Sequence, residues 1–344
     1  MGHEYDWQAL HQHALVIDSH NDTIVGLLRR GGQSIAGLSQ EARSQPESLI
    51  TYLRGPVDHQ EGPIQSDVPA MRAGGIDVGY FSIDNTRAVG NHLAYVLDGF
   101  GWFAAELEAY NDDIVVATSA ADIETAKANG KLAAVLAVEN SEALERSLFV
   151  LPMLYRIGVR TMTLTHSIRT YAGDGEQANQ SGGGLTTFGR DLVGAMNDLR
   201  MLVDVSHLSV QAFWHAMEET RVPVIASHSS CRVLNEHGRN LHDDQIKAIA
   251  DNGGVVGVSW VHHFVAWEDP TVARYLDHVD HAVNVAGIDH VGFGSDFDGG
   301  SYLLQDAKQV PIITQGLAER GWSESDLRKF LGLNHLRVFR DACG

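Results

Sequence analysis

Histidine and acidic residues recur in short strings that each close an apolar run: His20 and Asp22 in VIDSHND, Glu139 in AVLAVEN, His166 in TLTH, His207 in VDVSH, His228 in VIASHSS and Asp296 in GFGSDFDGG. Imidazole and carboxylate are the donors that suit Zn²⁺ and similar divalent ions. An HxD pair at the end of a strand puts alternate side chains on one face, so His20 and Asp22 can act as a two-point clamp. Three carboxylates and several imidazoles in one buried pocket repel one another or shift their pKa values strongly unless cations offset the charge. The set exceeds what one tetrahedral ion with an open position needs, so the pattern predicts two ions.

A single histidine after a strand is more often a hydrogen-bonded structural residue, and with 18 histidines several fall near strand ends by chance. Chance accommodates six strand ends together poorly. His11, His13, His59, His92, His215, His278, His281 and His335 fall on helix-like or connecting segments and are assigned structural or surface roles. His262 and His263 can line a pocket, but their spacing assigns them no task.

The runs themselves are rich in Val and Ile and bounded by Gly, Asp, Asn or Ser, the pattern of buried parallel strands. Eight are marked: Ala14–Ser19, Ile76–Ile83, Lys131–Val138, Thr161–Thr165, Met201–Ser206, Val222–Ser227, Gly254–Trp260 and His290–Ser295. Helical periodicity lies between most of them, as in Ala94–Tyr110 and Leu185–Leu199. Eight strands alternating with helices predict an α/β fold, a single (β/α)₈ TIM barrel over residues 1–344 with the metal site at its C-terminal face. A doubly wound sheet would carry a glycine-rich turn after its first strand. Gly182-Gly183-Gly184 follows no strand and is expected to be a loop. Residues 30–70, with Gly31, Gly32, Pro46, Pro56 and Pro63, are expected to form an insertion over the pocket mouth.

Forty-four acidic against 25 basic residues give a formal charge of −19, which repels phosphate backbones and anionic lipid. Neither nucleic acid nor membrane is an expected partner. Two cysteines, Cys231 and Cys343, make no disulfide framework and no thiolate zinc site. No apolar stretch is long enough to span a bilayer, and the first residues lack the apolar run of a secretion signal, so a cytoplasmic location is expected.

VIDSHND, AVEN, TLTH, GLTTFGRDLVGAMNDLRMLVDVSHLS, VIASHSSCRVLNEHGRN and HVGFGSDFDGG together resemble the membrane (renal) dipeptidase family and its bacterial relatives, in ordered spacing over most of the chain. The resemblance implies a barrel of the metal-dependent amidohydrolase type, two zinc ions, a metallodipeptidase acting on short dipeptides (L,L or L,D), and a homodimer. Position by position, it implies that His20 and Asp22 bind the first zinc and His207 and His228 the second, with Glu139 bridging. Asp296 would then accept the proton of the metal-bridging water, His166 would hydrogen-bond the oxygen that becomes negative, and Arg239 would pair with the free carboxylate of the dipeptide. Two cations lower the pKa of a shared water from 15.7 towards roughly 7 and polarise the scissile carbonyl.

Two departures concern the substrate side. Relatives often carry an asparagine a few residues after the fourth-strand histidine, where this chain reads His166-Ser167-Ile168-Arg169-Thr170-Tyr171. Near the seventh strand, relatives show an Asn-aromatic pair where this chain reads Val258-Ser259-Trp260-Val261. The alternative activity is another binuclear amidohydrolase, acting on N-acyl amino acids or cyclic amides. Barrels of that broader group often bridge their metals with a carboxylated lysine at the fourth strand, whereas here that strand ends in Thr165-His166 and Glu139 is available instead.

Overall fold

The computed structural model describes residues 5–30, 33–37, 64–86, 88 and 90–344. Most of the expected insertion at 30–70, and His59 with it, lies outside the described residues. The described strands all pair in parallel: β1 (Ile17–Asn21), β2 (Val78–Asp84), β3 (Ile114–Val116), β4 (Leu132–Glu139), β5 (Val159–Thr163), β6 (Leu202–Asp204), β7 (Ile225–Ser229), β8 (Val255–Val258) and β9 (Val291–Phe293). Eight of them follow the order β1-β2-β4-β5-β6-β7-β8-β9 with helices between, a nearly closed (β/α)₈ barrel. The seam is drawn together where Asp22 N donates to Phe297 O at 2.8 Å and Ser19 Oγ lies 2.9 Å from Phe293 O.

β3 has no counterpart among the eight runs read from the sequence. Its three residues pair with Leu132, Ala133 and Ala134, filling the edge of β4 that β5 takes over from Leu136 onward. Three residues that grade from buried to exposed give too little periodicity to read. The first and sixth runs begin and end two or three residues before β1 and β7 do. Apolar composition marks where a strand is buried in fat-like surroundings, whereas β1 and β7 continue into the polar HN and HS of the site, where hydrogen bonding rather than side-chain character defines them.

Parallel strands need both faces covered, which explains why all eight residues of β4 are buried. Helices start where side chains satisfy their free amides: Asn91 caps His92–Ala109 through Ala94 N, and Thr186 caps Thr187–Asp198 through Gly189 N. Inside the barrel the lower layer is Ile17, Val78, Tyr80, Ala133, Val135, Leu202, Ile225 and Val255. The C-terminal helix Asn334–Cys343 plugs this end with Leu336, Phe339 and Ala342, the Phe339 ring meeting Tyr80 edge-on at 5.9 Å. Above that layer the interior narrows. A Cβ at Gly294 would stand 1.8 Å from Ser227 O, so only glycine fits where Ser19, Ser227 and Gly294 meet.

Three of the histidines assigned structural roles are buried and bonded: His11 to Thr314 and Gly74 O, His278 to Cys231 N and Val265 O, His335 to Phe293 O. Gly182–Gly184 forms a loop after a 3₁₀ turn, as expected. Cys231 and Cys343 are free and buried. Among the described residues no helix is long and apolar enough to cross a membrane.

Candidate metal centre

The upper half of the barrel is polar, and strand alternation explains half of it. Along β4, Ala133 and Val135 face the lower layer, so Glu139 faces inward at the top; along β2, Val78 and Tyr80 do the same for Asp84. Asp84 and Glu139 are direct register partners. The other half comes from irregularity. Pairing slips between Asp18 and Asn21 on β1 and between Ala226 and Ser229 on β7. A slip of this kind re-aims a side chain, and these two strands carry His20 and His228.

Backbone strain marks two further positions. His207 and Asp296 adopt left-handed conformations, with φ of 68° and 57°. The surroundings hold both. His207 O accepts from Glu176 N at 2.9 Å, and Asp296 N donates to His20 O at 3.0 Å. Asp18 ties the same loop to β1, its carboxylate accepting from Ser295 N at 2.8 Å and Ser295 Oγ at 2.7 Å.

The five residues expected to hold metal converge. His207 Nε2 is 3.0 Å and His228 Nε2 3.5 Å from Glu139 Oε1, while His20 Nε2 lies 3.8 Å from Glu139 Oε2 and 3.7 Å from Asp22 Oδ2. Glu139 therefore presents one oxygen to the His207–His228 pair and the other to His20 and Asp22. Two triads, His20–Asp22–Glu139 and Glu139–His207–His228, each bring one donor atom per residue within 4.8 Å of the rest. All five residues are buried.

His166 and Asp296 flank this group. The His166 ring stacks on His207 at 4.0 Å between centroids. Asp296 stands opposite Asp22: a Cβ on Gly299 would sit 2.1 Å from an oxygen of each. Arg239 is buried, its Nη2 donating to His228 O at 2.9 Å and its Nε unpartnered. His262 and His263 stand farther out, in ring contact with Tyr302 and Trp267.

Three carboxylates escaped the sequence reading. Asp84 lies within 4.8 Å donor reach of Glu139 and His166, and Asp204 of His20 and His228. Glu176 Oε2 is 3.8 Å from His207 Nδ1. Asp84 directly follows the second marked run, so the strand-end rule could have found it, whereas Asp204 sits inside the fifth run and is marked only by its contacts. Glu176 comes from a loop, and nothing in its local sequence points to it. Asp204 also supports His228: Ser227 Oγ donates to the Asp204 carboxylate and lies 2.8 Å from His228 Nδ1. With Nδ1 so engaged, Nε2 keeps its lone pair for a ligand.

Protonation is pulled in opposite directions across the cluster. Burial opposes the charge on His20, yet Glu139 and Asp22 outweigh it and push its pKa to about 10. Burial drives Glu139 well above the carboxylate range and Asp296 to about 7. His207 and His228 are held far below the usual imidazole value by burial and neighbouring positive groups. Buried atoms without hydrogen-bond partners include His20 Nε2 and Asp22 Oδ1. An imidazole held charged by surrounding carboxylates, with its Nε2 and an Asp22 oxygen unpartnered, is a donor set from which a divalent cation would displace the proton, so the residues fit a metal centre.

A family model described as membrane dipeptidase (peptidase family M19) matches residues 5–343. Dipeptidase verJ of Clonostachys rogersoniana is 36% identical over 236 residues, 67% of this chain. The aligned part spans 61% of that relative's length. Among solved structures, a metallo peptidase from Rhodobacter sphaeroides liganded with a phosphinate mimic of the dipeptide L-Ala-D-Ala superposes with a TM-score of 0.82 at 24% identity, covering 96% of this chain and 99% of that one. An amidohydrolase from Pseudomonas aeruginosa gives 0.78 at 24% identity, covering 99% and 100%.

Proposed function

The chain belongs to the membrane dipeptidase family, peptidase family M19, and from that premise we propose that it is a zinc-dependent dipeptidase that hydrolyses the single peptide bond of L,L or L,D dipeptides. The observation that carries this reading is Glu139 standing between two donor groups, His20 with Asp22 on one side and His207 with His228 on the other. A central carboxylate with nitrogen and oxygen donors on both flanks suits a pair of zinc ions. His20 and Asp22 would hold one and His207 and His228 the other. Bound there, such ions supply a Lewis acid for the scissile carbonyl and a water acidic enough to ionise near neutrality.

The remaining residues divide the work of proton handling and substrate seating. Asp296, which stands opposite Asp22, would take a proton from the attacking water and return it to the leaving amine. His166, stacked on His207, donates its ring N–H to the carbonyl oxygen as that oxygen becomes negative. Arg239 offers a planar fork with an unused donor for the free carboxylate. Seating a terminal carboxylate leaves no room for further chain, which favours dipeptides over longer peptides.

Purified protein assayed on a panel of L,L and L,D dipeptides and N-acyl amino acids, with metal content measured on the same sample, tests this. About two ions per chain and turnover of dipeptides are expected. Asp296→Asn should keep its metal and lose turnover by about 100-fold or more. Cleavage of N-acyl amino acids with none of dipeptides would overturn the assignment, as would full activity in Asp296→Asn.

A further inference from the structure

Beside Arg239 lies a row of rings that the hydrolytic reading does not use. The guanidinium Cζ stands 5.2 Å from the centroid of Phe264, the Phe264 ring is 4.9 Å from His237, and His237 is 4.9 Å from Trp267. All come from the loops that follow β7 and β8, at the C-terminal face of the barrel. Phe264 is buried and His237 half-buried, but Trp267 is 58% exposed. The row thus runs from the buried arginine outward to an open indole. Its members are locked in place: Arg239 N donates to His237 Nδ1 at 3.1 Å, and Trp267 Nε1 donates to Glu236 O at 3.2 Å. An imidazole that accepts at Nδ1 is neutral and keeps its N–H at Nε2, so the surface it shares with the two rings carries no formal charge. Such a fixed aromatic face loses little entropy when another ring packs on it.

We propose that His237, Phe264 and Trp267 form a subsite for an aromatic side chain on the C-terminal residue of the dipeptide, the residue whose carboxylate Arg239 holds. This assignment rests on the dipeptidase reading and adds the substrate class to it. A carboxylate paired with Arg239 leaves the neighbouring α-carbon free to aim its side chain along the row. An acidic side chain there would exchange water for two aromatic faces and the single N–H of a neutral imidazole, with Arg239 already engaged by the terminal carboxylate, and is selected against.

The test compares kcat/KM of the zinc-loaded enzyme on Gly-Phe, in both stereochemical forms, with Gly-Gly, Gly-Asp and Phe-Gly. At least one Gly-Phe form should exceed Gly-Asp and Phe-Gly by about tenfold. Trp267→Ala should collapse the Gly-Phe to Gly-Gly ratio, with the change carried mainly by KM. Ile157→Ser, an exposed apolar residue just before β5 at the other face of the barrel, should leave that ratio unaltered. Dipeptide cleavage without aromatic preference, or a preference that survives Trp267→Ala, overturns the subsite and leaves the dipeptidase reading standing. Failure to cleave any dipeptide overturns both.

Discussion

Gly299 shows how closely the candidate site is fitted at the level of single atoms. Its α-carbon passes between Asp22 and Asp296 with no room for a methyl group, which would stand 2.1 Å from an oxygen of each carboxylate. Those oxygens are the ends of side chains, so Gly299→Ala is expected to fold, with stability within about 1 kcal/mol of the parent. The carboxylates must nevertheless move apart, and a displacement of that size is expected to lower kcat/KM by about 100-fold. Steady-state kinetics and metal analysis on the variant, beside a urea titration, check this; unchanged kinetics would mean that neither carboxylate needs its present position. Ser227 and Asp204 act at the same scale, holding His228 by its Nδ1 side. Neither serine nor a mid-motif aspartate stands out in VIASHSS or VDVSH, because their task is defined by contact across two strands.

Among the elements, the C-terminal helix does the least visible and most demanding work. Asn334–Cys343 closes the lower end of the barrel, and its Phe339 is fully buried among Tyr80 and the lower-layer residues of several strands. Truncating such a ring removes its burial energy and leaves a cavity that a closed barrel collapses around poorly. Phe339→Ala is expected to cost about 3–5 kcal/mol in urea unfolding. Metal content of the folded fraction should stay at the parental level, because the plug and the donor cluster sit at opposite ends of the strands. The loops following β5, β7 and β9 have the complementary task at the upper end, delivering Glu176, Arg239 and Asp296 to the donor cluster. This division, stability below and chemistry above, is the usual one for parallel barrels.

For the molecule as a whole, a buried histidine far from the donors ties stability to pH. His335 packs beneath β9 against Phe293 O, and burial lowers its pKa from 6.5 to about 4. Between those values the unfolded chain takes up a proton that the folded chain refuses. The contribution of neutral His335 is therefore complete above pH 6.5, falls as pH drops through that window, and is gone by about 4. At about pH 5 the loss amounts to about 2 kcal/mol. His335→Gln keeps a donor for Phe293 O and cannot titrate. Urea unfolding at about pH 7.5 and pH 5 should show the parent losing about 2 kcal/mol more than this variant; equal losses would remove His335 as the cause.

The alternation of strands and helices, and the residues that gather at one mouth, follow from local chain pattern alone. Apolar runs and polar strand ends are consequences of burial along the local chain, and His20, Asp22, Glu139, His207, His228 and Asp296 each stand at such an end. How they face one another is set by contacts between distant segments. The slips in β1 and β7 that turn His20 and His228 inward, the left-handed backbone of His207, and the approach of Glu176 and Gly299 all depend on partners distant in the chain. Hydrogen-bond register and steric fit between remote segments leave no periodic trace in either segment alone, which is why β3 and the aromatic row beside Arg239 emerge only once the barrel closes.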